Sequence, residues 1–169
     1  MQTNTHTGRL VHDDHHHTAD MLNRLEAHLN EAETRGIPSM DDPLVRALVT
    51  DLSAMLDREL GAHFDFEEQA VFPLVAEGGA YELTRLLTDE HDAMRPIGRR
   101  LQRYCALALA EGFDEDSYAA FVHFGWDLTD RLTRHLQTEE GNLLPALEIL
   151  LLTSPDLDEP LARGYRAAG

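Results

Sequence analysis

A thirteen-residue pattern occurs twice in this chain, 72 positions apart: His63-Phe64-Asp65-Phe66-Glu67-Glu68-Gln69-Ala70-Val71-Phe72-Pro73-Leu74-Val75, and His135-Leu136-Gln137-Thr138-Glu139-Glu140-Gly141-Asn142-Leu143-Leu144-Pro145-Ala146-Leu147. Both copies read His-x-x-x-Glu-Glu, an apolar pair, and a proline ten places after the histidine. Residues four apart share a helix face. Each copy therefore aims an imidazole and a carboxylate at the same side. Two such helices facing each other bring four nitrogen and oxygen donors to one point.

The surrounding chain carries helical periodicity in four long segments. The first presents Val11, His15, Thr18, Leu22, Leu25 and Leu29 in one stripe and ends near Arg35-Gly36. Asp42-Pro43 reads as an N-cap followed by proline at the first helical position. The second segment presents Leu48, Leu52, Met55, Glu59, His63, Glu67, Ala70 and Leu74 and ends at Gly78-Gly79. Glu59 interrupts that stripe, so Leu56 and Leu60 are expected to share its face. The third presents Leu83, Leu87, His91, Met94, Leu101 and Cys105. The fourth starts at a cap, Asp114 or Asp116, and presents Phe121, Gly125, Leu128, Leu132, His135, Glu139 and Leu143. No strand-like alternation competes. Short connections between long amphipathic helices imply antiparallel neighbours. The expected fold is all-α, an up-down-up-down antiparallel four-helix bundle over residues 8–152. Residues 153–169 form a short C-terminal extension, either a terminal helix or a mobile tail.

In such a bundle the ligand-type residues meet at one height. From His15 to the end of the first helix, and from the start of the second to His63, the interval is about 20 residues, or ~30 Å of helix. The third and fourth helices give similar intervals, and Glu67 to Gly78 matches Ala80 to His91. His15, His63, Glu67, His91, His135 and Glu139 therefore fall at one level, each on its own apolar stripe.

Six ionisable groups buried at one level are costly without a partner. A bound dication removes the conflict, because it takes neutral imidazole and ionised carboxylate. Four histidines and two glutamates exceed the needs of one tetrahedral zinc. They suit two six-coordinate ions sharing bridging carboxylates and a solvent-derived oxo or hydroxo group. Mixed nitrogen and oxygen ligation favours two iron ions, with manganese or zinc able to substitute.

The remaining polar residues read more plainly. His12 lies at the edge of the first stripe, while His16 and His17 read as solvated and His28 and His123 as surface. Asp14, Glu68, Glu90 and Glu140 each adjoin a proposed ligand. A bond to a ligand ring is open to them, but ordinary surface charge is the expectation for most. Pro73 and Pro145 each remove a backbone bond, which either kinks the helix beside the site or marks where it frays. Phe64, Phe66, Phe72, Phe121, Phe124 and Trp126 read as core packing.

Composition narrows the class further. Hydrophobic residues make up 43% of 169 residues, enough for one globular core. The formal net charge of −17 argues against nucleic acid and anionic membrane surfaces as partners. The single cysteine, Cys105, excludes an internal disulfide framework and sits in an apolar stripe, where a small core residue is expected. No basic region followed by an apolar run opens the chain, and no apolar stretch is long enough for a bilayer. The expected compartment is the cytoplasm.

Asp14-His15, His63-x-x-x-Glu67 with Phe72-Pro73, Glu90-His91, and His135-x-x-x-Glu139 with Leu144-Pro145 together resemble the hemerythrin-like (HHE cation-binding) family, over roughly residues 8 to 150. The resemblance implies a non-haem di-iron centre inside a four-helix bundle that binds or senses O₂, NO or peroxide. It implies bridging by Glu67 and Glu139, with His15, His63, His91 and His135 as terminal ligands. The chain departs from oxygen-carrying hemerythrins, which place a second histidine four residues after the helix-three histidine, where Arg95 stands here. Their last carboxylate is an aspartate five after its histidine, whereas this chain has Glu139 at four and Glu140 at five. One fewer terminal histidine leaves iron more open to a small ligand, which weakens reversible O₂ storage and strengthens sensing, peroxide or NO chemistry, or iron handling. Three functions follow: a di-iron protein binding a small diatomic ligand or peroxide, an enzyme acting on peroxide or NO, and a metal-dependent interaction module.

Overall fold

The computed structural model describes residues 3–168, and every regular element among them is helical. Four long rods carry the fold. They are α1 (His6–Arg35), α2 (residues 43–80), α3 (Tyr81–Glu111) and α4 (residues 115–153); a shorter helix, α5 (Asp158–Ala168), follows. Local sequence explains their ends. The Thr5 side chain caps α1 by accepting from the Gly8 amide, and Asp42 caps α2 ahead of Pro43. Asp114 and Ser117 form a reciprocal capping box at α4. Gly36 and Gly79 take positive φ (70° and 104°) where α1 and α2 stop, a backbone region that only glycine enters without strain.

Two rods are not uniform α-helix. In α2, α-helical Pro43–Asp57, Phe64–Phe66 and Phe72–Val75 alternate with π turns at Arg58–His63, Glu67–Val71 and Ala76–Ala80. In α4, a π turn at Glu139–Leu143 separates Glu115–Thr138 from Leu144–Thr153. Pro73 and Pro145 each sit at the second position of the α-helical segment that follows a π turn. Proline has no N–H for the carbonyl four residues back, and its ring collides with that carbonyl in a tight turn. Widening to a π turn relieves both. The prolines thus neither fray nor end their helices; they accompany a wide turn that begins at Glu67 in one copy and Glu139 in the other.

Two apolar clusters divide the interior. One contains Leu22, Leu25, Leu52, Leu56, Leu60, Met94, Leu101, Phe121, Leu132 and Leu136. The other contains Val11, Val71, Phe72, Leu87, Leu143, Leu144, Leu161 and Tyr165. The rods cross between them at the polar residues. In chain order α1 runs from the second cluster (Val11) to the first (Leu22), α2 from the first (Leu56) to the second (Val71), α3 from the second (Leu87) to the first (Met94), and α4 from the first (Leu132) to the second (Leu143). Cys105 is fully buried in the first cluster, and burial pushes its thiol up to about 12. Trp126, expected in the core, is 37% exposed. It lies off the stripe that carries Gly125, Leu128 and Leu132.

The chain ends are tied to each other. Glu148 on α4 accepts from the amides of Asn4 and Thr5 and from the Thr5 hydroxyl. Asp158, at the start of α5, accepts from the amides of His6 and Thr7 at 2.7 and 2.8 Å. Both carboxylates lie at the N-terminus of α1, where negative charge is favoured. α5 thereby lies against α1 and reaches the middle of the molecule through Tyr165. Among the described residues no helix is long and apolar enough to cross a membrane.

Candidate metal centre

All six expected side chains reach the layer between the two apolar clusters. α1 delivers His15, α2 His63 and Glu67, α3 His91, and α4 His135 and Glu139, none more than 5% exposed. Their donor atoms form two overlapping quartets, His15/His63/Glu67/Glu139 and Glu67/His91/His135/Glu139, each with all its atoms within 4.8 Å of one another. Each glutamate divides its oxygens between the halves. Glu67 places Oε1 3.4 Å from His63 Nε2 and Oε2 3.5 Å from His91 Nε2. Glu139 places Oε2 3.3 Å from His15 Nε2 and Oε1 3.3 Å from His135 Nε2. Neither His12 nor His16 takes the place of His15: His12 bonds Glu140, and His16 is exposed and bonds its own helix.

These close approaches are poorly aligned as hydrogen bonds. Among the described residues, eight buried side-chain polar atoms lack a hydrogen-bond partner, and seven belong here: His15 Nε2, His63 Nε2, Glu59 Oε1 and both oxygens of Glu67 and Glu139. Buried polar groups are nearly always satisfied, so inward-facing orphans concentrated at one point fit a bound cation. The donor set of neutral imidazole and carboxylate fits it chemically.

The outer edges of the imidazoles are all satisfied, and they are satisfied around a ring. Glu140 on α4 holds His15 Nδ1 on α1 at 2.8 Å. Glu68 on α2 holds His91 Nδ1 on α3 at 2.8 Å. Glu90 on α3 holds His135 Nδ1 on α4 at 2.7 Å. Asp14 on α1 completes the circuit through Tyr165, whose phenol lies 3.0 Å from His63 Nδ1 on α2 and donates to Asp14 Oδ2 at 2.5 Å. These bonds correct the expectation of surface charge for Asp14, Glu68, Glu90 and Glu140. A residue adjacent to a ligand points about 100° away around its helix, toward the neighbouring rod and the back of that rod's histidine. The adjacency was the legible signal; which neighbour it served was not. Arg95 supports the same ring, donating to Glu68 at 2.9 Å, to Asp65 at 3.0 Å and to the Leu60 carbonyl.

Sequence reasoning missed the part that four further groups play. Glu59, read as a break in an apolar stripe, is buried with one oxygen 3.6 Å from His63 Nε2 and the other accepting from Thr18 at 2.8 Å. Tyr165 enters from α5. Phe64 stacks flat on His91, centroids 3.6 Å apart and planes 7° from parallel, and Phe72 covers the same ring at 5.4 Å. Phe64 is thus a wall of the centre as well as a core residue.

The electrostatics follow from the crowding of carboxylates. Burial opposes charge on His63 and His135, but the buried glutamates outweigh it, Glu67 and Glu59 at His63 and Glu139 at His135. Both imidazoles are pushed up to about 10. His15 is also raised, against burial, by the bond from Glu140 and the charge of Glu139. His91 goes the other way, pushed down to about 2 by burial and by the charge of His135, whose Nε2 is 3.0 Å away. Glu67 is lowered despite burial, because His63 faces it. Without a cation, protons on imidazole take over part of the neutralisation.

The family model for the hemerythrin HHE cation binding domain matches residues 6–147. No curated protein sequence and no solved structure matches the chain.

Proposed function

We propose, on the premise that this chain belongs to the hemerythrin HHE cation-binding domain family, that it is a di-iron protein that binds or senses O₂, NO or peroxide. The observation that carries this reading is the division of oxygens at Glu67 and Glu139, each facing one half of the centre with one oxygen and the other half with the other. His15 and His63 would hold one ion, His91 and His135 the other, and the two glutamates would bridge. An iron pair bound there would supply exchange of electrons with a diatomic gas or peroxide.

The chain's own groups prepare that chemistry. Glu140, Tyr165, Glu68 and Glu90 fix the orientation of the four rings, keep each Nε2 inward and raise ligand basicity. Phe64, Phe72 and the two apolar clusters exclude bulk water. A groove of about 250 Å³ touches His15, Leu22, Leu136 and Glu140 between α1 and α4 and offers an approach for a small ligand. Each half would hold its ion with two imidazoles and two carboxylates. The alternating order in which the rods traverse the two apolar clusters supports the up-down-up-down antiparallel bundle that such a centre needs. The net charge of −17 supports a protein that avoids nucleic acid and anionic membrane surfaces.

A second reading, a metal-dependent interaction module, draws on the seven orphaned inward atoms, which couple ion occupancy to helix packing. Anaerobic loading with ferrous iron followed by metal analysis and an optical spectrum in air tests the main reading. Two irons per chain and a near-ultraviolet charge-transfer band are expected; retention of no iron overturns it. Steady peroxide turnover abolished by His63→Ala moves the assignment to an enzyme. Loss of protease resistance on chelation, without turnover, moves it to the module.

A further inference from the structure

We infer that Glu59 is a third carboxylate dedicated to the cation position of His15 and His63, and that it makes the two positions of the centre inequivalent. The inference rests on the metal-centre reading above and adds a residue and a filling order to it.

Glu59 lies one helical turn before His63, inside the π turn Arg58–His63, and is 1% exposed. Its two oxygens have different roles. Oε2 is anchored by the Thr18 hydroxyl at 2.8 Å, with Arg58 Nη2 3.8 Å away. Oε1 has no hydrogen-bond partner and stands 3.6 Å from His63 Nε2. Nε2 is the inward edge of that ring, since Nδ1 is taken by Tyr165. Glu59 is therefore inside the chamber with Glu67 and Glu139, while Glu140, Glu68 and Glu90 sit behind the rings.

A purely structural role accounts for half of this side chain. Anchoring Thr18 and meeting Arg58 uses Oε2 alone. Arg58 is committed to Asp14 at 2.5 Å and offsets Glu59 from the far side. A buried carboxylate oxygen with no hydrogen-bond partner is a cost that positive charge beside it lowers. Oε1 stands outside the quartet whose atoms lie within 4.8 Å of one another. Its part is that of added negative charge and a hydrogen-bond acceptor beside the cation, not a further bridge.

The other half has no counterpart. Four residues before His135 stands the exposed Arg131, paired to Asp127, and four before His91 stands Leu87. Three carboxylates thus face the His15–His63 position and two face the His91–His135 position. In a low-dielectric interior that difference favours the first for a dication.

Manganous ion titrated into the chelator-stripped protein under argon reads the filling order by electron paramagnetic resonance. In the wild type, one equivalent gives an isolated mononuclear signal, and the spin-coupled signal appears only with the second. In Glu59→Gln the first dissociation constant weakens at least tenfold, as for other outer groups of metal sites. The second stays within about twofold, and coupled signal appears from the first equivalent. The metal-free variant keeps its helix content by circular dichroism, since the amide oxygen still accepts from Thr18. An unchanged first dissociation constant overturns the inference. So does an equal loss at both positions with a loss of metal-free helix content, the signature of a structural role. If Glu59→Gln does not fold, Thr18→Val releases the anchor with no change of charge and must weaken the first position alone. A wild-type protein that binds neither manganese nor ferrous iron overturns the metal-centre reading itself, a result distinct from any difference between variants.

Discussion

The phenol of Tyr165 lies 3.0 Å from His63 Nδ1 and donates to Asp14 Oδ2 at 2.5 Å. The family-matched region stops at residue 147. A helix beyond it therefore closes the ring of outer hydrogen bonds around the centre. The other three histidines are held by carboxylates from neighbouring rods; His63 receives its carboxylate, Asp14, through a phenol.

Tyr165→Phe keeps the ring against Phe66, centroids 5.1 Å apart, and removes only the hydroxyl. Removing an outer partner of a ligand typically lowers metal affinity by about 10–100-fold. Competition against a chelator should show a loss of that order, with helix content unchanged by circular dichroism. Affinity equal to wild type would remove Tyr165 from the centre.

The metal-free protein should lose stability in alkali. His63 and His135 are raised from 6.5 to about 10 in the folded state. Their contribution is fully present below pH 6.5 and is lost as pH rises toward 10. His91 is lowered from 6.5 to about 2, so its contribution is present above 6.5 and is lost as pH falls toward 2. Unfolding temperatures of chelated protein should therefore peak near pH 6.5. In the metal-loaded protein the alkaline decline should flatten, because the dication replaces the protons, and metal affinity should rise with pH. A chelated protein as stable at pH 9.5 as at 6.5 contradicts this.

Gly98→Ala tests how tightly α3 sits on α2 beside the centre. A Cβ at Gly98 would stand 2.1 Å from Leu60 Cδ1 and 3.1 Å from its Cγ, so the whole buried leucine would have to move. Overpacking of this kind costs about 1–3 kcal/mol, against roughly 0.5–1 kcal/mol gained by replacing a helical glycine. The expected net effect is a lower denaturation midpoint in guanidinium. Gly61→Ala, where a Cβ meets nothing within 4 Å, should leave the midpoint unchanged or raise it.

Much of the centre was legible from spacing. Histidine and glutamate four apart must share a helix face, and equal intervals from His15, His63, His91 and His135 to the helix ends must bring them to one level. Buried ionisable groups in apolar stripes then demand a cation. Spacing alone could not assign the neighbours. Asp14, Glu68, Glu90 and Glu140 lie off the stripe, where exposed and interhelical positions look alike in sequence. Arg95 could be read as a departure from a family pattern, but not as the group that holds Glu68.

What the sequence by itself determined is the set of inward donors, because the period of a helix decides which residues share a face regardless of the partner. Only the tertiary structure decided the ring of outward bonds, the place of Glu59 and the reach of Tyr165 to His63. Those depend on how far apart and at what rotation the rods pack, and on where a fifth helix returns. Side-chain volumes and π turns set these through the whole fold, and no local pattern in the chain encodes them.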